Sequence, residues 1–431
     1  MAEPRYYEQA ETFSQVEPVP LHGGAFESYA QRLDTLWAAV DNLDGKLRDL
    51  GSWIRALDPV HPIHVNPHNV GQNLLPIGQS IWHQAEYTDF LGCSAHVPWH
   101  SGRFPADRRP QSIALYADLM KSATSHPEGM FWVNELQGGP TWFSSPAASC
   151  PSGTQTAFWL WEAIGSGARA VLFCCFGCRA GGDEAGEWNL LNLLDEPSGR
   201  LLAAKEVSRL LAQHRALFDK TRPAAPQVLL LDSQNTAALC AIETTAEEKR
   251  EPRNRNAASD ALCGAYLCCC DLGLSVAVIP EEKLWNDRCP ESAGVLILPK
   301  TTALDERIVD GLLRFQARGG TVIADRLCGL KDPGGNLARE RVGKLEALFG
   351  MQIAEIRGLE KPQTVETENG ERFPAWFLRV DARLTDGKAA AAFQDGDPAV
   401  VRIQKEHGGV RIFTAFFRQA LLDTLGNGAL F

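Results

Sequence analysis

The chain has 431 residues, of which 45% are hydrophobic and 22% charged, a balance that excludes disordered and fibrous classes. With 53 acidic against 42 basic residues its net charge is −11, which repels a phosphate backbone and argues against nucleic acid as a partner. At roughly 150 residues per domain the length predicts about three domains. Residues Met1 to Glu8 lack the apolar run of a signal peptide. The most apolar stretch, Ala168 to Cys178, is shorter than the roughly 20 residues that span a bilayer. A cytoplasmic location without membrane contact is the expectation, and the twelve cysteines are then reduced, buried thiols.

In chain order, the runs His61–Asn66, Asp89–His96, Met130–Glu135 and Ala168–Cys175 read as buried parallel strands. Helical patterns fall near 73–85, 111–124 and 154–166, and a longer one covers 201–218, where Leu201, Leu202, Val207, Leu210, Leu211 and Leu217 recur on one side. These β/α units are the grammar of a barrel or a doubly wound sheet. A proline-containing linker near Thr221–Pro226 opens a second α/β series. Its strands are Val228–Asp232, Leu274–Ile279, Gly294–Pro299 and Thr321–Asp325, with a helix over 304–317 closed by Gly319-Gly320. Residues 244–260 read as a solvated loop, and Cys268-Cys269-Cys270 as a helix interior. From about 359 the pattern becomes β-rich, with strands over 375–380, 399–403 and 409–414. The fold class is therefore α/β, in three parts: 1–220, a flavodoxin-like 221–358 and a small β-rich 359–431.

Glu135 ends an apolar strand at the loop Gly138-Gly139-Pro140, and carboxylates at such strand ends face the active site of a β/α barrel. A structural ion pair with an arginine is the competing reading. Trp142 is placed to offer an apolar platform to a sugar face. A second cluster, Arg179, Asp183, Glu184 and Glu187, shares one glycine-rich loop after a strand, suited to hydroxyl groups or simply solvated. His96, Trp99 and His100 follow another strand end and line the same mouth, whereas His64 and His68 read as structural. Cys175 and Cys178 have CxxC spacing without a second ligand pair, so no metal site is expected. No GxSxG elbow and no Walker loop is present.

The run Asn134-Glu135 through Trp142, with Pro151-Ser152-Gly153, Trp159 to Ala168, Phe173 to Arg179 and Gly182-Asp183-Glu184, resembles glycoside hydrolase family 42, the β-galactosidases. Ala56–Asn66 resembles that family's fifth barrel strand, the second α/β series its trimerisation domain of class I glutamine-amidotransferase-like fold, and the last segment its small C-terminal domain. The resemblance implies a partial TIM barrel (strands five to eight), with Glu135 as nucleophile, Trp142, Glu184, Phe173, Arg179, His96 and Trp99 against the sugar, a β-galactoside substrate, a homotrimer and no cofactor. Three features depart from the family. Glu187 stands where a histidine is usual, and His96 where a tyrosine is frequent. The acid/base glutamate of the fourth strand has no counterpart, since Asn134-Glu135 is the chain's sole Asn-Glu pair and Tyr6–Pro20 resembles the segment after that strand. Weak or absent hydrolysis by this chain alone is the expectation. A non-catalytic carbohydrate-binding or assembly protein is the alternative. An amidotransferase-like enzyme in the middle domain is a further class, disfavoured because no cysteine sits at a nucleophile elbow.

Overall fold

Of the runs 61–66, 89–96, 130–135 and 168–175, expected as buried strands, the second is buried throughout and the third in part, whereas the first and last are half-exposed. A central pair buried on both faces is satisfied by a parallel sheet covered with helices. The computed structural model describes residues 12, 15, 18–21 and 29–413, apart from 103, 127–128, 146–147, 245–253, 326, 338–347, 376–377 and 405–409. The chain divides into two units, one of Val40–Ala224 and one of Met1–Ala39 with Ala225–Phe431. Helix α1 (Tyr29–Leu57) belongs in part to each.

In the unit Val40–Ala224, β1 (His64–Val65), α2 (Ile81–Tyr87), β2 (Phe90–Ala95), α3 (Val97–His100), α4 (Gln111–Ala123), β3 (Phe131–Gln137), α5 (Gly153–Gly165), β4 (Ala170–Cys174), α6 (Gly199–Gln213) and α7 (Arg215–Phe218) follow one another. The strands pair in chain order, β1-β2-β3-β4, all parallel. Each β/α step is fixed locally. Ser80 caps α2, and Ser152 with Gln155 forms a capping box on α5, satisfying amides that a helix start leaves unpaired. Helix α4 buries Ile113, Leu115, Tyr116, Leu119 and Met120, each worth about 1.5–3 kcal/mol of removed apolar surface. Among the described residues, β1 and β4 are the sheet's two edges, and Leu172 on β4 is 44% exposed.

Strand β3 runs two residues past Glu135, to Gln137, so Glu135 lies just inside the strand rather than ending it. Against β2 it carries a bulge: Val133 pairs with Cys93 and Glu135 with Ser94, leaving Asn134 extra. A bulge re-aims the side chains around it. Asn134 packs on Gly92 and Glu135 bonds Ser94, so both face the same side of the sheet. Gly92 leaves room for Asn134: a Cβ would stand 2.2 Å from its Nδ2, so the asparagine side chain would have to shift.

In the other unit, β5 (Val228–Asp232), α8 (Gln234–Glu243), α9 (Ala257–Asp271), β6 (Val276–Pro280), α10 (Glu281–Trp285), β7 (Val295–Leu298), α11 (Glu306–Ala317) and β8 (Thr321–Ala324) form the α/β series. Then come β9 (Met351–Gly358), β10 (Gln363–Thr367), β11 (Arg372–Ala375), β12 (Leu378–Leu384), β13 (Lys388–Phe393), β14 (Pro398–Gln404) and β15 (Val410–Phe413). The sheet order is β11-β10-β13-β14-β15-β8-β7-β5-β6, with β12-β9 as a separate pair. The β-rich part thus begins at Met351, earlier than its pattern suggested, and continues the same sheet through the parallel pair β15-β8. The run 375–380 does not form one strand: β11 ends at Ala375, Trp376 and Phe377 lie outside the described residues, and β12 joins the other sheet. Helix α9 takes in 257–260 of the expected loop, burying Ala257, Ala258 and Leu262. Residues 245–253 lie outside the described residues, as do Gly409 and Thr414 of the predicted last strand and most of Tyr6–Pro20. Cys263 and Cys268 to Cys270 sit within α9. All twelve cysteines are free. Among the described residues no helix is long and apolar enough to cross a membrane.

Candidate functional site

The C-terminal ends of β1 to β4 bring together residues that are distant in sequence. Glu135, with a side chain 36% exposed, accepts a hydrogen bond from Ser94 Oγ at 2.7 Å and lies 3.3 Å from His96 Nε2. Asn66, just after β1, donates to Ser94 Oγ at 3.2 Å and so backs the first contact. His68 Nε2 is 4.0 Å from the same carboxylate oxygen. The His96 hydrogen bond, opposed by partial burial and helped by Ser94, holds the Glu135 carboxyl down to about 2. Glu135 is therefore an ionised carboxylate at any ordinary pH, and no arginine pairs with it among the described contacts. That removes the ion-pair reading of this residue.

Aromatic rings surround the pair. His68 meets Trp99 and His100, with centroids 5.7 and 4.7 Å apart. His96 meets Trp188 at 4.7 Å, and Trp188 meets Trp99 at 4.9 Å. Burial pushes His100 down to about 3, so it is a neutral wall rather than a charge. From Trp99 the contacts pass to the next loop, since its indole Nε1 donates to the Ser144 carbonyl. That loop carries Trp142, 39% exposed, whose ring lies against Gly186.

Glu187 fixes the loop. Its carboxylate is fully buried and accepts from the amides of Trp142 at 2.7 Å, Phe143 at 2.5 Å and Ser144 at 3.3 Å, and from the Ser144 hydroxyl. Burial by itself would raise its pKa, but the Ser144 hydroxyl and these amides hold it below the usual carboxylate range. Glu184 instead pairs with Arg179 in a partly exposed ion pair, a contact of little net worth that a ligand can displace. Arg179 Nη2 also reaches Cys174 Sγ at 3.8 Å. Burial, with Cys175 and the Glu135 carboxylate adding to it, pushes the Cys174 thiol up to about 12, so it is protonated and uncharged beside Glu135.

Of the residues singled out in the sequence, Glu135, His96 and Trp99 lie together, and Trp142, Glu184 and Arg179 form the adjoining loops. Phe173 does not join them. It pairs with Leu136 on the opposite side of the sheet from Glu135 and lines a cavity of about 560 Å³ with Leu160, Trp161, Val207, Leu211 and Phe218. The cause is the two-residue alternation of a strand, which turns Cys174 toward Glu135 and Phe173 toward the helices. His68, read as structural, stands beside Glu135. Ser94, Asn66 and Trp188 were missed altogether. For His68 and Asn66 a signal existed in their place just after a predicted strand.

The Gly138-Gly139 pair permits the close approach of the 188–189 backbone. A Cβ on Gly139 would meet Asn189 O at 2.2 Å and N at 2.4 Å, both backbone atoms. Gly139→Ala is expected to destabilise the protein by about 3 kcal/mol. Gly45→Ala, in α1 with nothing within 4 Å, should stabilise it by about 0.8 kcal/mol. Urea unfolding of the two variants checks the contrast.

Residues 229–430 match the family model of the beta-galactosidase trimerisation domain. The chain resembles the family 42 β-galactosidases. Its fold is that of a β-galactosidase from the psychrophilic Marinomonas ef1 (TM-score 0.80, 16% identity, 97% of this chain and 63% of that one). The Halorubrum lacusprofundi β-galactosidase gives a TM-score of 0.81 at 20% identity, over 98% and 63% of the two chains. Gan42B, a GH42 β-galactosidase of G. stearothermophilus, gives 0.80 at 20% identity, over 96% and 61%. The chain thus spans about three-fifths of the length of these structures. No curated protein matches it.

Proposed function

We propose that this chain carries the nucleophile side of a retaining glycoside hydrolase acting on β-galactosides. The observation that carries the reading is Glu135: an ionised carboxylate, beside a strand bulge, at the C-terminal edge of a parallel sheet, held by Ser94 and by His96, whose ring packs on Trp99 and Trp188. On this reading β1 to β4 are strands five to eight of a (β/α)8 barrel, where that edge is the catalytic face. Residues 221–358 are flavodoxin- or amidotransferase-like and assemble a homotrimer, and the remaining strands complete that part.

Glu135 attacks the anomeric carbon as the aglycone leaves, giving a glycosyl-enzyme that water then opens. Ser94 and His96 keep the carboxylate charged and oriented. Trp142 offers a flat apolar surface to a sugar ring, and Glu184, released from Arg179, accepts sugar hydroxyls. Retaining hydrolysis also needs a second carboxyl about 5–5.5 Å from the first. Glu187 is consumed by backbone amides and Glu184 is assigned to sugar hydroxyls, so the acid/base is assigned to barrel strands outside the part of the family 42 barrel that this chain resembles.

A missing acid has a readable consequence. The chain should cleave 2,4-dinitrophenyl β-galactoside, whose leaving group needs no proton, far faster than the phenyl galactoside, by more than about 10³-fold, because general acid catalysis contributes 10²–10⁴. A flat dependence on leaving-group acidity would show that an acid is present within the chain. Galactosides and glucosides compared under the same conditions test the sugar.

A further inference from the structure

Three metal-ligating side chains from three different strand ends converge at Glu135. His68 Nε2 lies 4.0 Å and His96 Nε2 3.3 Å from Glu135 Oε2, and one ligand atom from each of the three groups falls within 4.8 Å of the others. A tetrahedral zinc ion with bonds of about 2.1 Å keeps its ligand atoms about 3.4 Å apart. Rotation of His68 and Glu135, both partly exposed, closes the set; His96 is buried and already in place.

We propose that His68, His96 and Glu135 form a binding site for a divalent transition metal of the zinc, cobalt and nickel class. Two imidazoles and one carboxylate are the donors that class prefers over magnesium or calcium, which select oxygen ligands. Three protein ligands leave a fourth position open to water or to a ligand. The carboxylate has the outer support that metal sites use: Ser94 Oγ donates to the same oxygen, and Asn66 holds Ser94. His96 lacks such support. Its Nδ1 is buried with no partner, so a ring coordinating through Nε2 has no acceptor for its remaining proton, which weakens binding by about 10- to 100-fold relative to a fully supported site. Each ligand follows or ends a predicted strand, but they are 28 and 39 positions apart in the chain and follow no short ligand motif. The site shares Glu135 with the glycosidase reading, so a bound metal and a sugar compete for the same carboxylate, but its test reads metal binding alone.

The experiment is a Co²⁺ titration of the full chain under reducing conditions, followed by the visible cobalt absorption. The expected result is one equivalent bound without the near-ultraviolet sulfur-to-cobalt band, displaced by Zn²⁺. His68→Ala should weaken binding at least tenfold and Glu135→Gln similarly, with far-UV circular dichroism unchanged. Binding that His68→Ala leaves intact, a sulfur-to-cobalt band showing that the cysteines hold the metal, or no cobalt spectrum at all would each overturn the proposal. Because His68 is exposed, its substitution does not threaten the fold.

Discussion

Glu135→Gln is expected to reduce cleavage of dinitrophenyl β-galactoside on the order of 10⁵-fold, the scale seen when a covalent nucleophile is removed. The amide keeps the shape of the side chain and still accepts from Ser94 Oγ, so stability should move by less than about 2 kcal/mol. The loss therefore reports chemistry rather than folding. Steady-state rates together with urea unfolding check both halves. A variant that keeps a tenth of the activity would assign the nucleophile elsewhere. The same variant carries a pH consequence. Glu135 is held near 2 against an ordinary 4.5, so its contribution to stability is present above about pH 4.5 and fades as the pH falls toward 2. Glu135→Gln lacks that acid-limb dependence.

Glu187→Ala should have the second largest effect, on structure first. It leaves the amides of Trp142, Phe143 and Ser144 and the Ser144 hydroxyl without their acceptor, at a cost of about 3 kcal/mol. The loop that carries Trp142 then loses its anchor, so acrylamide should quench tryptophan fluorescence more strongly, and KM for galactosides should rise more than kcat falls. The pKa of Glu187 is lowered in the folded protein. The wild type therefore gains from this group above the ordinary carboxylate value and loses the gain on acidification through its lowered pKa, whereas Glu187→Gln shows no such step. Unfolding measured at pH 7 and at pH 3.5 separates the two.

The strands that carry the site were legible because each is a continuous apolar run flanked by polar or turn residues. All six residues of β2 are buried, and β5, β7 and β8 are equally apolar. The position of Glu135 near a strand's C-terminal end followed from the same pattern. The bulge at Asn134 did not, since a bulge is set by how β3 meets β2 and leaves no mark on periodicity. The side on which Phe173 falls also depends on that register, and a one-residue shift reverses it. Glu187 was noticed for its departure from a histidine, yet its role became visible only once the loop folded over it. The long helix α1 is absent from the sequence reading although Leu33, Leu36 and Val40 recur at helical spacing and are buried. The C-terminal strands alternate too weakly to reveal that β15 extends the sheet of β8.

The most direct measurement is covalent trapping. A 2,4-dinitrophenyl 2-deoxy-2-fluoro-β-galactoside leaves without acid assistance and yields a slowly hydrolysed glycosyl-enzyme. Incubated with the full chain and followed by peptide mass spectrometry, it should add one fluorogalactosyl group, on the peptide holding Trp132 to Trp142, at Glu135. Label on another carboxylate, or none under conditions that label a family 42 galactosidase, would contradict the assignment of Glu135 as nucleophile.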